Sequence, residues 1–217
     1  QLLAVHQHNE AEAAQAVVQR LQQGLRVAYV SDAGTPGVSD PGARLVARAH
    51  ALGVRVVPLV GPSSILLGLM GSGLNGQSFA FHGYLPVGEG ERDTALRALE
   101  DESRRLGRTQ IFIETPYRNE RMLDALLKLL KPDTRLCIAC DLNTQNETLL
   151  TRNVRDWRKA ARPARMRAPP IPSVPPRIPS VPKVPLLTLR ARRARTVSSS
   201  TICPCGLNST RAVSWSS

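Results

Sequence analysis

The chain has 217 residues, 4% of them aromatic, and a formal charge of +12. Residues 161–217 hold nine Arg, one Lys and no Asp or Glu, which leaves 19 basic against 17 acidic residues in 1–160, a net +2. The body is thus nearly neutral, so the high overall charge says almost nothing about what it binds, and no apolar run nears the roughly 20 residues of a membrane span.

In chain order, LLAVH (Leu2–His6) reads as a short strand, and Glu10–Gln23 as a helix with Ala13, Val17, Val18 and Leu21 on one face. RVAYVS (Arg26–Ser31) is apolar on both faces, as a central parallel strand is. VSDAGTPGVSDPG follows it, with three Gly, two Pro and two Asp in thirteen residues. Asp40 reads as an N-cap with Pro41 at the first helical position, opening a helix to about Leu52. VRVVPLV (Val54–Val60) is the third strand, and Gly61-Pro62-Ser63-Ser64 begins an apolar helix to about Gly71. The strand-like and helix-like segments so far alternate as βαβαβα, so the fold class is α/β, with a partial parallel sheet in residues 1–74.

After Gly76 the texture changes. FAFHGYLP, a charged helix over Arg92–Leu106, TQIFIETP, a helix over Asn119–Leu130, RLCIACDL and ETLLTRNV predict a second, mixed-sheet α/β domain over residues 75–160. The rest, 161–217, holds ten of the 17 prolines and shows no apolar period, so a disordered or polyproline tail is expected. A globular text that turns abruptly to Arg, Pro and Ser reads as translation out of frame; a basic arm that clamps RNA is the alternative. The opening, QLLAVHQHNE, reads as already inside a strand, with no signal peptide. Cytoplasmic location is the default expectation.

The loop after Arg26–Ser31 lies where open parallel sheets place ligands, beyond the carboxyl end of a strand. Its glycines allow close backbone approach and its prolines stiffen it before binding. Asp32 and Asp40 suit a small polar cofactor, although a tight strand-to-helix connection would look the same. Other motifs fail. Ala33 stands where an aspartate phosphatase loop needs its second Asp, and no Lys-Ser/Thr follows a glycine loop. Gly71–Gly76 spells GxGxxG but follows a helix, so it is an interdomain turn. His6 and His8 flank a strand end, and Cys137 and Cys140 form a CxxC without a second ligand pair; neither makes a metal site. In ETPYR, Glu114 and Arg118 are either cleft residues or a structural ion pair.

Taken together and in this order, VSDAGTPGVSDPG, VVPLVGPSS, FAFHGYLP and IETPYR resemble the tetrapyrrole-methylase-like methyltransferases that use S-adenosylmethionine. Within them, the match over residues 1–160 is to the ribosomal RNA small subunit methyltransferase I branch and its close paralogue. The resemblance implies a two-domain fold, a homodimer, and 2′-O-methylation of a cytidine ribose in small-subunit (16S) ribosomal RNA. It also implies a cofactor cleft lined by Asp32, Ala33, Gly34, Thr35, Pro36, Asp40, Pro41 and Gly42. Gly61, Pro62, Ser63 and Ser64 would help to hold the cofactor, and Phe81, Gly83, Glu114, Thr115, Pro116 and Arg118 would close it. Asp32, Glu114 and His8 are the general-base candidates, since a ribose hydroxyl is a poor nucleophile.

The chain departs from the pattern at both ends. The first strand with its glycine-rich loop and the acidic second strand have no counterpart, and ARPARMRAPP stands where a closing strand is expected. An N-terminally truncated fragment with a frameshifted C-terminus is the reading that follows. A non-catalytic RNA-binding remnant and a methyltransferase acting on a tetrapyrrole precursor are the alternatives.

Overall fold

The computed structural model describes Leu3, Val5, residues 9–31 and 34–163, and the backbone of Leu186–Arg190. In chain order these residues form α1 (Glu10–Gln22), α2 (Ala43–Ala51), α3 (Ser64–Ser72), β1 (Phe79–Tyr84), α4 (Glu89–Leu106) and β2 (Thr109–Ile113). A 3-10 turn (Pro116–Arg118) leads into α5 (Asn119–Leu129), followed by β3 (Arg135–Cys140), β4 (Thr148–Asn153), α6 (Val154–Trp157) and β5 (Leu186–Arg190).

One five-stranded sheet organises the described residues, in the order β1-β2-β5-β3-β4. β1 and β2 are parallel, joined by the right length of crossover in α4, while β3 and β4 form an antiparallel pair. β5 lies antiparallel between β2 and β3, so β2 and β3 run in the same direction. Every residue of β2 is buried, as expected of TQIFI in the middle of a covered sheet.

Side-chain alternation sorts the core into two layers. Phe112, Leu136 and Ile138 face α4, α5 and α6, where Leu96, Met122, Leu126 and Trp157 are buried. The Trp157 indole Nε1 donates to the Leu136 carbonyl at 2.9 Å, which satisfies its one polar atom. Ile111, Ile113 and Ala139 face the other way, under Leu69 and Ile65 of α3. Thr151 Oγ1 also donates to the Ser72 carbonyl at 2.8 Å, tying the end of α3 to β4. Buried Glu100 of α4 accepts from the Lys131 backbone N–H at 2.8 Å and from Thr134 Oγ1, so its charge is met by donors from the loop before β3.

The CxxC of β3 is packing. Three residues apart on a strand, Cys137 and Cys140 face opposite sides of the sheet, and both are buried. Burial, with Asp141 adding to it, pushes the Cys140 thiol up to about 12, so it stays neutral and unreactive.

Three expectations need correction. Arg26–Ser31 and Val54–Val60 form no strand among the described residues, and Val30 (77%) and Leu59 (84%) are exposed. A segment apolar on both faces becomes a central strand only with a hydrogen-bonded neighbour and covering layers, and no described strand lies beside either segment. The parallel sheet expected in residues 1–74 is thus not seen; α1 and α2 pack on one another there, through Ala13, Val17, Leu45 and Ala49. Most of Leu2–His6 lies outside the described residues. Asp40 is not an N-cap: α2 starts at Ala43 with Gly42, φ +128°, at the cap position. Finally, the expected tail includes β5, a central strand where a closing strand had no evident source. LLTLR has no proline, and a slot with unpaired ladders on both sides rewards even a five-residue segment.

Candidate functional site

The segment Thr35–Gly42 is shaped by its own hydrogen bonds. Gly34 and Gly37 take φ of +76° and +78°, the left-handed region that glycine enters without strain. The Val38 N–H donates to the Thr35 carbonyl at 3.1 Å, and the Gly37 N–H donates to the Pro41 carbonyl at 3.2 Å. Two side chains from the preceding segment fasten the far end. Tyr29 Oη donates to the Pro41 carbonyl at 2.7 Å, and Ser31 Oγ donates to Asp40 Oδ2 at 2.5 Å. The Asp40 carboxylate therefore holds the loop against the end of Arg26–Ser31.

β1 meets this loop at its carboxyl end. The β1–β2 register shifts between Phe81 and Tyr84, and Gly83 within the shift has φ +63°. A Cβ on Gly83 would lie 3.6 Å from Ser39 Oγ, so the strand and the loop approach closely. Ser39, Asp40, Pro41 and Arg44 on one side, with Gly83 and Tyr84 on the other, enclose an open cleft of about 430 Å³.

The ETPYR corner adjoins that cleft. Tyr84 pairs in register with Ile113, the residue before Glu114. Glu114 is 2% exposed, and its Oε1 collects the Arg118 guanidinium at 2.6 Å, the Thr115 N–H at 2.7 Å and Thr115 Oγ1 at 3.3 Å. Arg118 Nε also donates to Thr115 Oγ1 at 3.1 Å. Glu114 thus clamps the 3-10 turn, which favours the ion-pair reading over that of a free base. Burial, then the Glu114 carboxylate, raises the Tyr84 phenol above its ordinary value, with Arg118 opposing.

The remaining expected residues divide. Asp40, Pro41 and Gly83 line the cleft, and Gly42 adjoins it. Glu114, Thr115, Pro116 and Arg118 stand beside it. Gly34 and Pro36 are exposed and Thr35 is half-buried. Phe81 does not line the cleft; it packs under α3 with Ile65 and Ile111. Gly61 and Pro62 are exposed, Ser63 is the extended cap of α3 and Ser64 its first residue, and none of the four lines the cleft. Asp32, Ala33 and His8 lie outside the described residues, as does His6. Sequence reasoning missed Ser39, Arg44 and Tyr84. The signal for Tyr84 was present, since an aromatic ending a strand next to Gly83 has no further strand position to fill.

Asp40 and Arg44 set opposite charges on one wall of the cleft, and Gly83 offers backbone without a side chain, so a polar ligand could be met from both sides.

Gly42 has no room for a side chain. A Cβ there would lie 2.5 Å from Tyr29 Cε1, and φ +128° is a conformation L side chains rarely adopt. Gly42→Ala is expected to destabilise by about 1–3 kcal/mol and to loosen the Tyr29–Pro41 contact. Urea unfolding measures the first effect; an unchanged midpoint would mean that the loop relaxes freely.

Comparison with known proteins places this geometry in a wider group. The chain is 41% identical over 146 residues to the ribosomal RNA small subunit methyltransferase I of Vibrio cholerae, covering 67% of this chain and 49% of that protein. It is 43% identical over 152 residues to the enzyme of the same name from Mesorhizobium japonicum, covering 70% and 50%. The chain thus spans about half the length of the curated relatives it matches. Among solved structures, the methyltransferase CobJ aligns with a TM-score of 0.54 at 19% identity, covering 87% of this chain and 74% of that one. Diphthine synthase aligns with a TM-score of 0.56 at 12% identity, covering 86% and 68%. These two share the fold. Residues 3–157 match the model of the tetrapyrrole (corrin/porphyrin) methylases, and with relatives near 40% identity the conclusion is direct: the chain belongs to the tetrapyrrole methylase family.

Proposed function

We propose that this chain carries the S-adenosylmethionine site of a methyltransferase whose acceptor is the ribose 2′-hydroxyl of a cytidine in small-subunit ribosomal RNA. The observation that carries the reading is the meeting of the Ser39–Arg44 loop with Gly83 and Tyr84 in one cleft, in a chain whose relatives bear that enzyme name. Gly34–Pro36 and Asp40–Gly42 would hold the cofactor from one side, and Gly83 and Glu114–Arg118 from the other. The bound cofactor supplies an electrophilic methyl group. The chain's own residues orient the acceptor and exclude water, and alignment of the reacting atoms is worth much of the rate in an in-line displacement. A general base would take the hydroxyl proton; of the candidates Asp32, Glu114 and His8, Glu114 is engaged by Arg118 and Thr115, and Asp32 is the residue we assign to the role. A homodimer belongs to the same reading.

Calorimetry with S-adenosylmethionine tests the cofactor half, and transfer of labelled methyl to small ribosomal subunits lacking the modification tests the acceptor half. Saturable heat and label in the RNA are expected. Absence of heat near millimolar cofactor would overturn the first half, and label absent from the RNA despite bound cofactor would overturn the second. Asp32→Asn should lose the label, and heat retained in that variant would separate a role as base from its expected place in the cofactor cleft.

A further inference from the structure

Aromatic residues are scarce in this chain, with three Phe, three Tyr and two Trp in 217 residues, so their placement is informative. Phe112 and Trp157 are core residues, Phe81 packs under α3, and Tyr29 is tied to Pro41. Phe79, 41% exposed, begins β1 at the other end of the strand, whereas Tyr84 and Tyr117, 47% and 74% exposed, share one corner of the sheet. Tyr84 ends β1 in register with Ile113, and Tyr117 lies in the turn four residues beyond Ile113. Tyr84 also forms part of the cleft wall. The Arg118 guanidinium sits 5.9 Å from the Tyr117 ring centroid and is itself fixed by Glu114, so the Tyr117 ring is braced.

We infer that Tyr84 and Tyr117 form a stacking platform for an unpaired nucleobase of the RNA acceptor at the mouth of the cleft. The inference rests on the reading of RNA as acceptor. Sequence-tolerant and sequence-specific proteins alike hold unstacked bases on exposed aromatic faces and guanidinium planes. Residues 1–160 carry a net charge of only +2, so general attraction to phosphate is weak over the body and contacts to the bases gain in weight. A protein-docking patch would be depleted of charge at its core, whereas these rings are set among Asp40, Arg44, Glu114 and Arg118.

The test uses the full chain and short single-stranded RNA with 2-aminopurine placed at successive positions. At one position the fluorescence should fall on binding. Tyr84→Leu and Tyr117→Leu should each weaken binding about tenfold or more and abolish that quenching, whereas Tyr84→Phe and Tyr117→Phe should stay within about twofold. Both side chains are exposed, so circular dichroism of the Leu variants should match the parent. Leu variants that bind and quench as the parent does would overturn the platform and leave the RNA reading intact. Equal losses in the Phe and Leu variants would make the hydroxyls the contact and overturn it too. A parent chain that binds S-adenosylmethionine but no RNA would overturn both readings.

Discussion

A proline at position 188 is expected to collapse the sheet. Thr188 sits in the middle of β5, opposite Ile111 of β2 on one side and Cys137 of β3 on the other. Proline removes the backbone donor and its ring does not fit a strand paired on both sides, a combination worth about 3 kcal/mol or more. The loss should spread. β2 and β3 are buried throughout or nearly so, and each would lose the neighbour that satisfies one of its ladders. Thr188→Pro should therefore lower the urea midpoint, reduce the far-ultraviolet strand signal and promote aggregation through two newly exposed strand edges. Thr188→Val, which keeps the N–H and a β-branched side chain, should preserve all three properties. If Thr188→Pro unfolds at the parent's midpoint, β5 does not hold β2 and β3 together.

β5 also shows where local reading stops. TQIFI, RLCIAC and the helices α4 and α5 were legible because their apolar periods are complete within each segment, and a buried sheet needs that pattern. LLTLR is five residues in a stretch crowded with Pro and Arg, and nothing nearby marks it. What selects it is the pair of unpaired ladders on β2 and β3, a non-local condition. The reverse error arose at Arg26–Ser31 and Val54–Val60. Their composition is that of central strands, but a strand exists only in a ladder, and none is provided among the described residues. The cap was misread for a similar reason. Asp40-Pro41 has the chemistry of a helix start, yet the Asp40 carboxylate answers Ser31 and the helix waits for Gly42. Glycine and proline constrain the backbone locally, so the close approach of Gly83 to the loop through Gly42 has a signal in the sequence, while Tyr84 was passed over as an ordinary strand residue.

Removing Arg118 is the second change with a large expected effect. Glu114 is almost wholly buried at the end of β2, and Arg118, 2.6 Å away and four residues on, is the cation that meets it. A buried pair contributes little compared with a well-packed apolar replacement, but a buried carboxylate stripped of its partner is costly. Arg118→Met should thus destabilise by about 3–5 kcal/mol, read from urea unfolding. Glu114→Gln leaves the Thr115 N–H an acceptor and relieves the buried charge, so the double variant Glu114→Gln/Arg118→Met should recover much of the loss. Equal destabilisation in the single Arg118→Met and the double variant would show that Arg118 acts by packing alone. The same comparison bears on the cleft. Arg118 braces Tyr117 and, through Glu114, fixes the turn beside Tyr84. If the double variant regains stability yet still binds cofactor or RNA poorly, the pair serves to hold this corner in shape for a ligand, which explains why an ion pair stands where an apolar contact would have been as stable.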